Sequence, residues 1–111
     1  MKGKLEDTNR LDLIREAIAN IDEFLGGIDT LETFENNKIL CHAVVYNLQC
    51  VGEGVYKLSP EFIAAHPEIN WKEIEGLRHV LVHDYYTLNM RTIWEIVQRD
   101  LPPFKQYLKS L

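Results

Sequence analysis

Apolar residues recur every three or four positions along almost the whole chain, and that spacing restricts it to helices packed face to face. Leu11, Ile14, Ile18, Ile21 and Leu25 form one stripe. Leu40, Val44, Leu48, Val51, Val55 and Leu58 form a second. Met90, Ile93, Val97, Leu101, Phe104, Leu108 and Leu111 form a third, unbroken across Pro102-Pro103. Such stripes lie along one face of a helix turning 3.6 residues at a time. Strand-like alternation is scarce. The predicted fold is all-α, a four- to five-helix up-down bundle.

Local signals divide the chain. The first helix is predicted from about Thr8 to Leu25, with Thr8 as N-cap and Gly26-Gly27 as its stop. The segment Asp29–Glu35 adds a short turn of helix. The second helix runs from about Asn36 to Leu58. Ser59-Pro60 opens a short helix that stops near His66-Pro67. Asn70 or the residues before it start the next, with Trp71, Ile74, Leu77 and Leu81 on one face. Asn89 caps the last helix, which kinks or restarts at Pro102-Pro103 with Asp100 as cap. Trp71 and Trp94 are expected in the core.

Gly52 and Gly54 lie inside the second helix. Each costs a helix interior roughly 1 kcal/mol relative to Ala. Two glycines flanking Glu53 imply that something approaches the backbone closely there.

The chain has 111 residues, enough for one domain with a modest core, and a single domain over residues 1-111 is expected. Hydrophobic residues make up 46% and charged residues 26%, a soluble balance. No apolar run approaches the roughly 18 residues of a membrane span. The N-terminal Met1-Lys2-Gly3-Lys4-Leu5-Glu6-Asp7 lacks the apolar core of a signal peptide, so no membrane association and a cytoplasmic location are expected. Cys41 and Cys50, nine residues apart on one helix, stand about 13 Å apart, too far for a disulfide. Both are expected as buried thiols. The net charge of −5 argues against a broad basic face for nucleic acid, yet leaves room for a small site gripping one or two phosphates.

The chemistry concentrates in Gly76-Leu77-Arg78-His79-Val80-Leu81-Val82-His83-Asp84-Tyr85-Tyr86. An apolar tripeptide is framed there by a cation, two imidazoles, a carboxylate and two phenols. Arg is a forked donor suited to phosphate, and His moves protons near neutral pH. Residues five apart on a helix are separated by about 140°. Arg78 and His83 therefore meet only if the Arg reaches round, the helix loosens, or two copies face each other across a two-fold axis. Arg78 and Tyr85, seven apart, share a face. Such a set suits cleavage of RNA: a neutral His83 takes the 2′-OH proton, a protonated one supplies a proton, and Arg78 clamps the phosphate. The nucleophile is part of the substrate, so this chemistry needs no metal and no cofactor, and DNA is inert to it.

The order Arg, four residues, His, one residue, Tyr resembles the signature of the HEPN superfamily, in particular its HepT-like ribonuclease toxins. The likeness extends through Asn47-Leu48, Gly52-Glu53-Gly54 and Leu58-Ser59-Pro60. It continues through Pro67 to Arg78, Trp94 and Asp100-Leu101-Pro102, and so covers about Asn9 to Leu111. Three positions depart from the pattern: His79 directly after the Arg, Gly54 in place of the more usual Ala, and a second phenol at Tyr86.

The resemblance implies an HEPN-like all-α homodimer and a metal-independent endoribonuclease acting as a toxin. It implies a cognate MntA-like minimal nucleotidyltransferase antitoxin, which uses ATP to place AMP on the motif tyrosine. By spacing that tyrosine is Tyr85. Arg78 and His83 are then catalytic, and His79, Asp84, Glu53 and Asn47 are supporting candidates. Other readings stand beside it. His79 and His83, four apart, share a face and form a metal pair if Asp84 or Glu53 adds a ligand. The chain is otherwise a non-catalytic helical partner of a nucleotidyltransferase, or a purely structural helical dimer.

Overall fold

In a computed structural model of the chain, the backbone is described for residues 2–83 and 89–111, and side chains for residues 5–78 and 89–111. The described residues form helices α1 (Lys2–Phe24), α2 (Leu31–Glu35), α3 (Lys38–Tyr56), α4 (Pro60–Ala65), α5 (Trp71–His83), α6 (Met90–Glu95) and α7 (Leu101–Lys109). A π-helical turn, Ile96–Asp100, joins α6 to α7. The all-α expectation is met, and no helix among the described residues is long and apolar enough to cross a membrane.

Helix α3 is the central element. It packs mainly against α1 on one side and α5 on the other. Ile14, Ile18 and Ile21 of α1 meet Val44, Leu48, Val51 and Val55 of α3 in one cluster with Phe34, Trp71, Ile93, Phe104 and Leu108. All but Phe34 are positions on the apolar faces read from the sequence, now almost without solvent contact. Each fully buried aliphatic chain contributes about 1.5–3 kcal/mol of transfer free energy, so this contiguous core dominates the stability. Helix α7 folds back on α1: Arg15 Nη2 donates to the Leu108 carbonyl at 3.1 Å, and Lys105 pairs with Asp22.

Most helix starts follow the local signals. Asn37, Ser59 and Asn89 accept from the backbone amides of Leu40, Phe62 and Arg91, tying up amides that lack a helical partner. Asn70 Oδ1 accepts from Glu73 N–H, and the Asn70 side-chain Nδ2 donates to the Glu73 carboxylate, so the two side chains brace the start of α5. Gly27 adopts φ +84, the left-handed conformation that lets the chain turn away after α1.

Three expectations are corrected. Thr8 lies inside α1 and is no N-cap, because the helix begins upstream at Lys2. Asp7 on this added turn is buried, and its two oxygens accept from Ser59 N at 2.8 Å and Ser59 Oγ at 2.6 Å. That long-range tie holds a turn which no local signal marks. Asp100 does not cap α7 either; it has helical φ −87, ψ −36 and makes no side-chain cap bond. Pro102 and Pro103 lack N–H groups, and the widened turn lets Leu101 N–H bond the Ile96 carbonyl, so the chain stays helical through them. Cys41 is a buried thiol donating to the Phe34 carbonyl, but Cys50 is only half-buried.

Two sets of aromatic contacts add to this core, one around Trp71 and one between Phe34 and Trp94. Trp71 is buried and donates Nε1 to the His66 carbonyl at 2.7 Å, while Trp94 packs on Phe34. Tyr107 donates to Glu68 at 2.7 Å, and this bond, with burial and the Glu68 charge, pushes its phenol up to about 12.

Candidate functional site: Arg78 at the crossing of α3 and α5

The two glycines mark close approaches on opposite sides of α3. A Cβ at Gly52 would stand 2.5 Å from the Arg78 backbone nitrogen. A Cβ at Gly54 would stand 2.5 Å from Ile14 Cγ1 of α1. Gly52 therefore admits α5, and Gly54 admits α1. The departure at Gly54 has a local cause: the Ile14 side chain occupies the space an Ala methyl would take.

Between them, Glu53 projects from the crossing. Its carboxylate lies 3.8 Å from Arg78 Nε and 3.7 Å from Lys57 Nζ. Both distances exceed hydrogen-bond range, so these pairs are electrostatic contacts in a half-exposed setting. Arg78 Nε is buried and has no hydrogen-bond partner among the described residues. The guanidinium carbon sits 3.7 Å from the centroid of the Tyr56 ring. Arg78 thus leaves the crossing at Gly52 and lays its head over Tyr56, one turn further along α3. It also borders a shallow hollow of about 260 Å³ with Lys72, Glu75 and Gly76.

Asn47 is buried one turn before Val51. Its Oδ1 accepts from Asn20 of α1 at 3.1 Å, and its Nδ2 donates to the Ala43 carbonyl at 2.8 Å. Asn47 and Glu53 both line a groove of about 360 Å³ between α1 and α3. Tyr46 and Cys50 line it too, and the Tyr46 phenol is raised above its ordinary value, first by hydrogen bonding with Cys50 and then by that thiol's charge. The structure therefore brings Arg78 and Glu53 together and sets Asn47 along the adjoining groove.

Helix α5 stays regular through His83, so it does not loosen before that residue. The side chains of His79 and His83, and all of Asp84 and Tyr85, lie outside the described residues. Among the described residues, no three His, Cys, Asp or Glu side chains are grouped to hold a metal. Tyr56 was missed in the sequence. The signal for it was its place four residues after Gly52, on the face that receives α5.

A family model described as "Ribonuclease HepT-like" matches residues 14–111. The chain belongs to the HepT-like ribonuclease family. A Thermococcus cleftensis protein named "Probable ribonuclease HepT" is 35% identical over 101 residues, 91% of this chain and 91% of that protein. A candidate ribonuclease of Methanocaldococcus jannaschii is 36% identical over 93 residues, 84% of each. The "mRNA nuclease HepT" of Shewanella oneidensis is 41% identical over 39 residues, 35% of this chain and 29% of that protein. No solved structure matches the HepT-like chain.

Proposed function

We propose that this HepT-like chain is a metal-independent endoribonuclease and the toxin half of a toxin–antitoxin module, working as a homodimer. The observation that supports it most is Arg78. In a HepT-like ribonuclease sequence, the motif cation is seated at a helix crossing by contacts that, among the described residues, include no bidentate carboxylate bond. A fork held this way is prepared for a phosphate.

In the proposed reaction His83 removes the 2′-OH proton. The 2′ oxygen bonds to phosphorus, the bond from phosphorus to the 5′ oxygen breaks, and a protonated imidazole gives its proton to that leaving oxygen. Arg78 neutralises charge that grows on the phosphoryl oxygens. A two-fold pair of motifs supplies one His83 as base and the other as acid. His79, Asp84, Glu53 and Asn47 are supporting residues of this site.

The same reading includes control by an MntA-like minimal nucleotidyltransferase. The Tyr85 phenol oxygen attacks the α-phosphorus of ATP, pyrophosphate leaves, and the phenol proton passes to solvent. AMP on Tyr85 brings a bulky anion next to the motif and blocks RNA.

Cleavage of an RNA substrate in EDTA tests the reading. His83→Ala and Arg78→Ala are expected to abolish cleavage while helix content and melting change little. Arg78→Lys restores only part of it, since a point charge lacks the fork. Full activity in His83→Ala overturns the acid–base role, and activity that needs an added divalent ion overturns metal independence.

A further inference from the structure

Arg carries a long, rotatable side chain, and a two-point grip on phosphate needs its plane fixed before the substrate arrives. A carboxylate partner fixes the plane by consuming donors. A ring beneath the guanidinium fixes it through the face and leaves the N–H groups uncommitted. The stack of Arg78 on Tyr56, 3.7 Å from guanidinium carbon to ring centroid, is of the second kind. Tyr56 is half exposed, so this contact is not imposed by dense packing around it. Glu53 lies only at the Nε edge and beyond hydrogen-bond range.

The geometry here comes from α3. Gly52 brings the Arg78 backbone against the helix, and the next position on that face is Tyr56. The Arg78 side chain runs along this face for one turn and ends over the ring.

We propose that Tyr56 is the positioning residue for Arg78, its ring holding the guanidinium plane ready for the scissile phosphate. The proposal rests on the ribonuclease reading. Tyr56 acts through Arg78 and takes no proton.

The test is single-turnover RNA cleavage in EDTA by the wild-type chain and by Tyr56→Ala, Tyr56→Leu and Tyr56→Phe, with melting recorded for each. A second measurement follows the Arg78 Nε–Hε signal by nuclear magnetic resonance. Tyr56→Ala and Tyr56→Leu are expected to lower the cleavage rate constant by about ten-fold, more than they raise KM. Tyr56→Phe keeps the aromatic face and recovers most of that loss. All three variants should melt close to wild type, and the Arg78 Hε signal should move in Ala and Leu but little in Phe. Tyr56→Leu separates stacking from simple packing, because it keeps apolar bulk without a ring. Tyr56→Ala cutting RNA within two-fold of wild type overturns the proposal. So does a loss in Ala that Leu and Phe restore equally, or an Arg78 Hε signal unmoved in Ala. A wild-type chain that cuts no RNA is a different failure; it overturns the ribonuclease reading and this role with it.

Discussion

Gly52 and Arg78 touch through their backbones: a Cβ added at Gly52 would stand 2.5 Å from Arg78 N and 3.1 Å from Arg78 Cα. The spacing of α3 and α5 therefore depends on a missing side chain. Gly52→Ala gains up to about 1 kcal/mol of helix propensity. It loses about 1–3 kcal/mol or more from overpacking, and the obstacle is backbone, which cannot rotate away. The overlap wins, so the variant should melt lower, by about 4–8 °C for each kcal/mol lost. Gly76→Ala is the control on α5, where a Cβ meets nothing within 4 Å. It should raise the melting temperature. Equal melting of both variants would contradict the contact.

Asp7 and Ser59 are 52 residues apart and joined by two hydrogen bonds. Ser59 also caps α4 through Phe62 N. Asp7→Ala removes both acceptors from a buried site and should cost about 1–3 kcal/mol, measured by chemical denaturation. Asp7→Asn keeps one acceptor oxygen and should cost less. Unchanged stability in Asp7→Ala would show that the N-terminal part of α1 is not held by this tie.

Tyr107 gives a pH signature. Its phenol is pushed from 10.0 to about 12, first by the hydrogen bond to Glu68. A group whose folded value is raised holds its proton more tightly when folded. Its contribution is whole below about 10 and is lost as pH rises towards about 12. Ultraviolet titration should show a late phenolate that is lost in Tyr107→Phe. Glu68→Gln should bring that titration back towards the ordinary value.

Helix α5 continues to His83, so Arg78 and His83 remain about 140° apart in register, and two facing copies give the simplest composite site. Light scattering at micromolar concentration should report about twice the 13.0 kDa chain mass. A monomer at that concentration counts against a shared site.

Incubation with ATP and the cognate nucleotidyltransferase should add AMP to Tyr85 and silence cleavage. Intact mass and peptide mapping locate the adduct, and Tyr85→Phe should resist it. AMP on Tyr86, or no adduct with an active antitoxin, would show the tyrosine assignment to be wrong.

The bundle was legible because its core lies on stripes. Ile14, Ile18, Val44, Leu48 and Leu108 are buried where a 3.6-residue period puts them. Gly52 and Gly54 announced a close approach, though not which helices made it. Local capping also read well at Ser59, Asn70 and Asn89, where donor and acceptor are two or three residues apart. What failed to show was long-range. The early start of α1 depends on Ser59, far along the chain, and Tyr56 gains its meaning only when Arg78 is laid on it. The π turn at Ile96–Asp100 was hidden for another reason. The apolar stripe passes through it unbroken, and only the missing proline amides reveal that the turn must widen.

The return of α7 to α1 sets a clock on synthesis. Arg15 and the Leu108 carbonyl it bonds are 93 residues apart. A ribosome adding about 5–20 residues per second needs about 5–20 s to make the second after the first. Through that interval the face of α1 that α7 covers has no partner, so the nascent chain spends seconds with part of its core surface open to solvent and to chaperones.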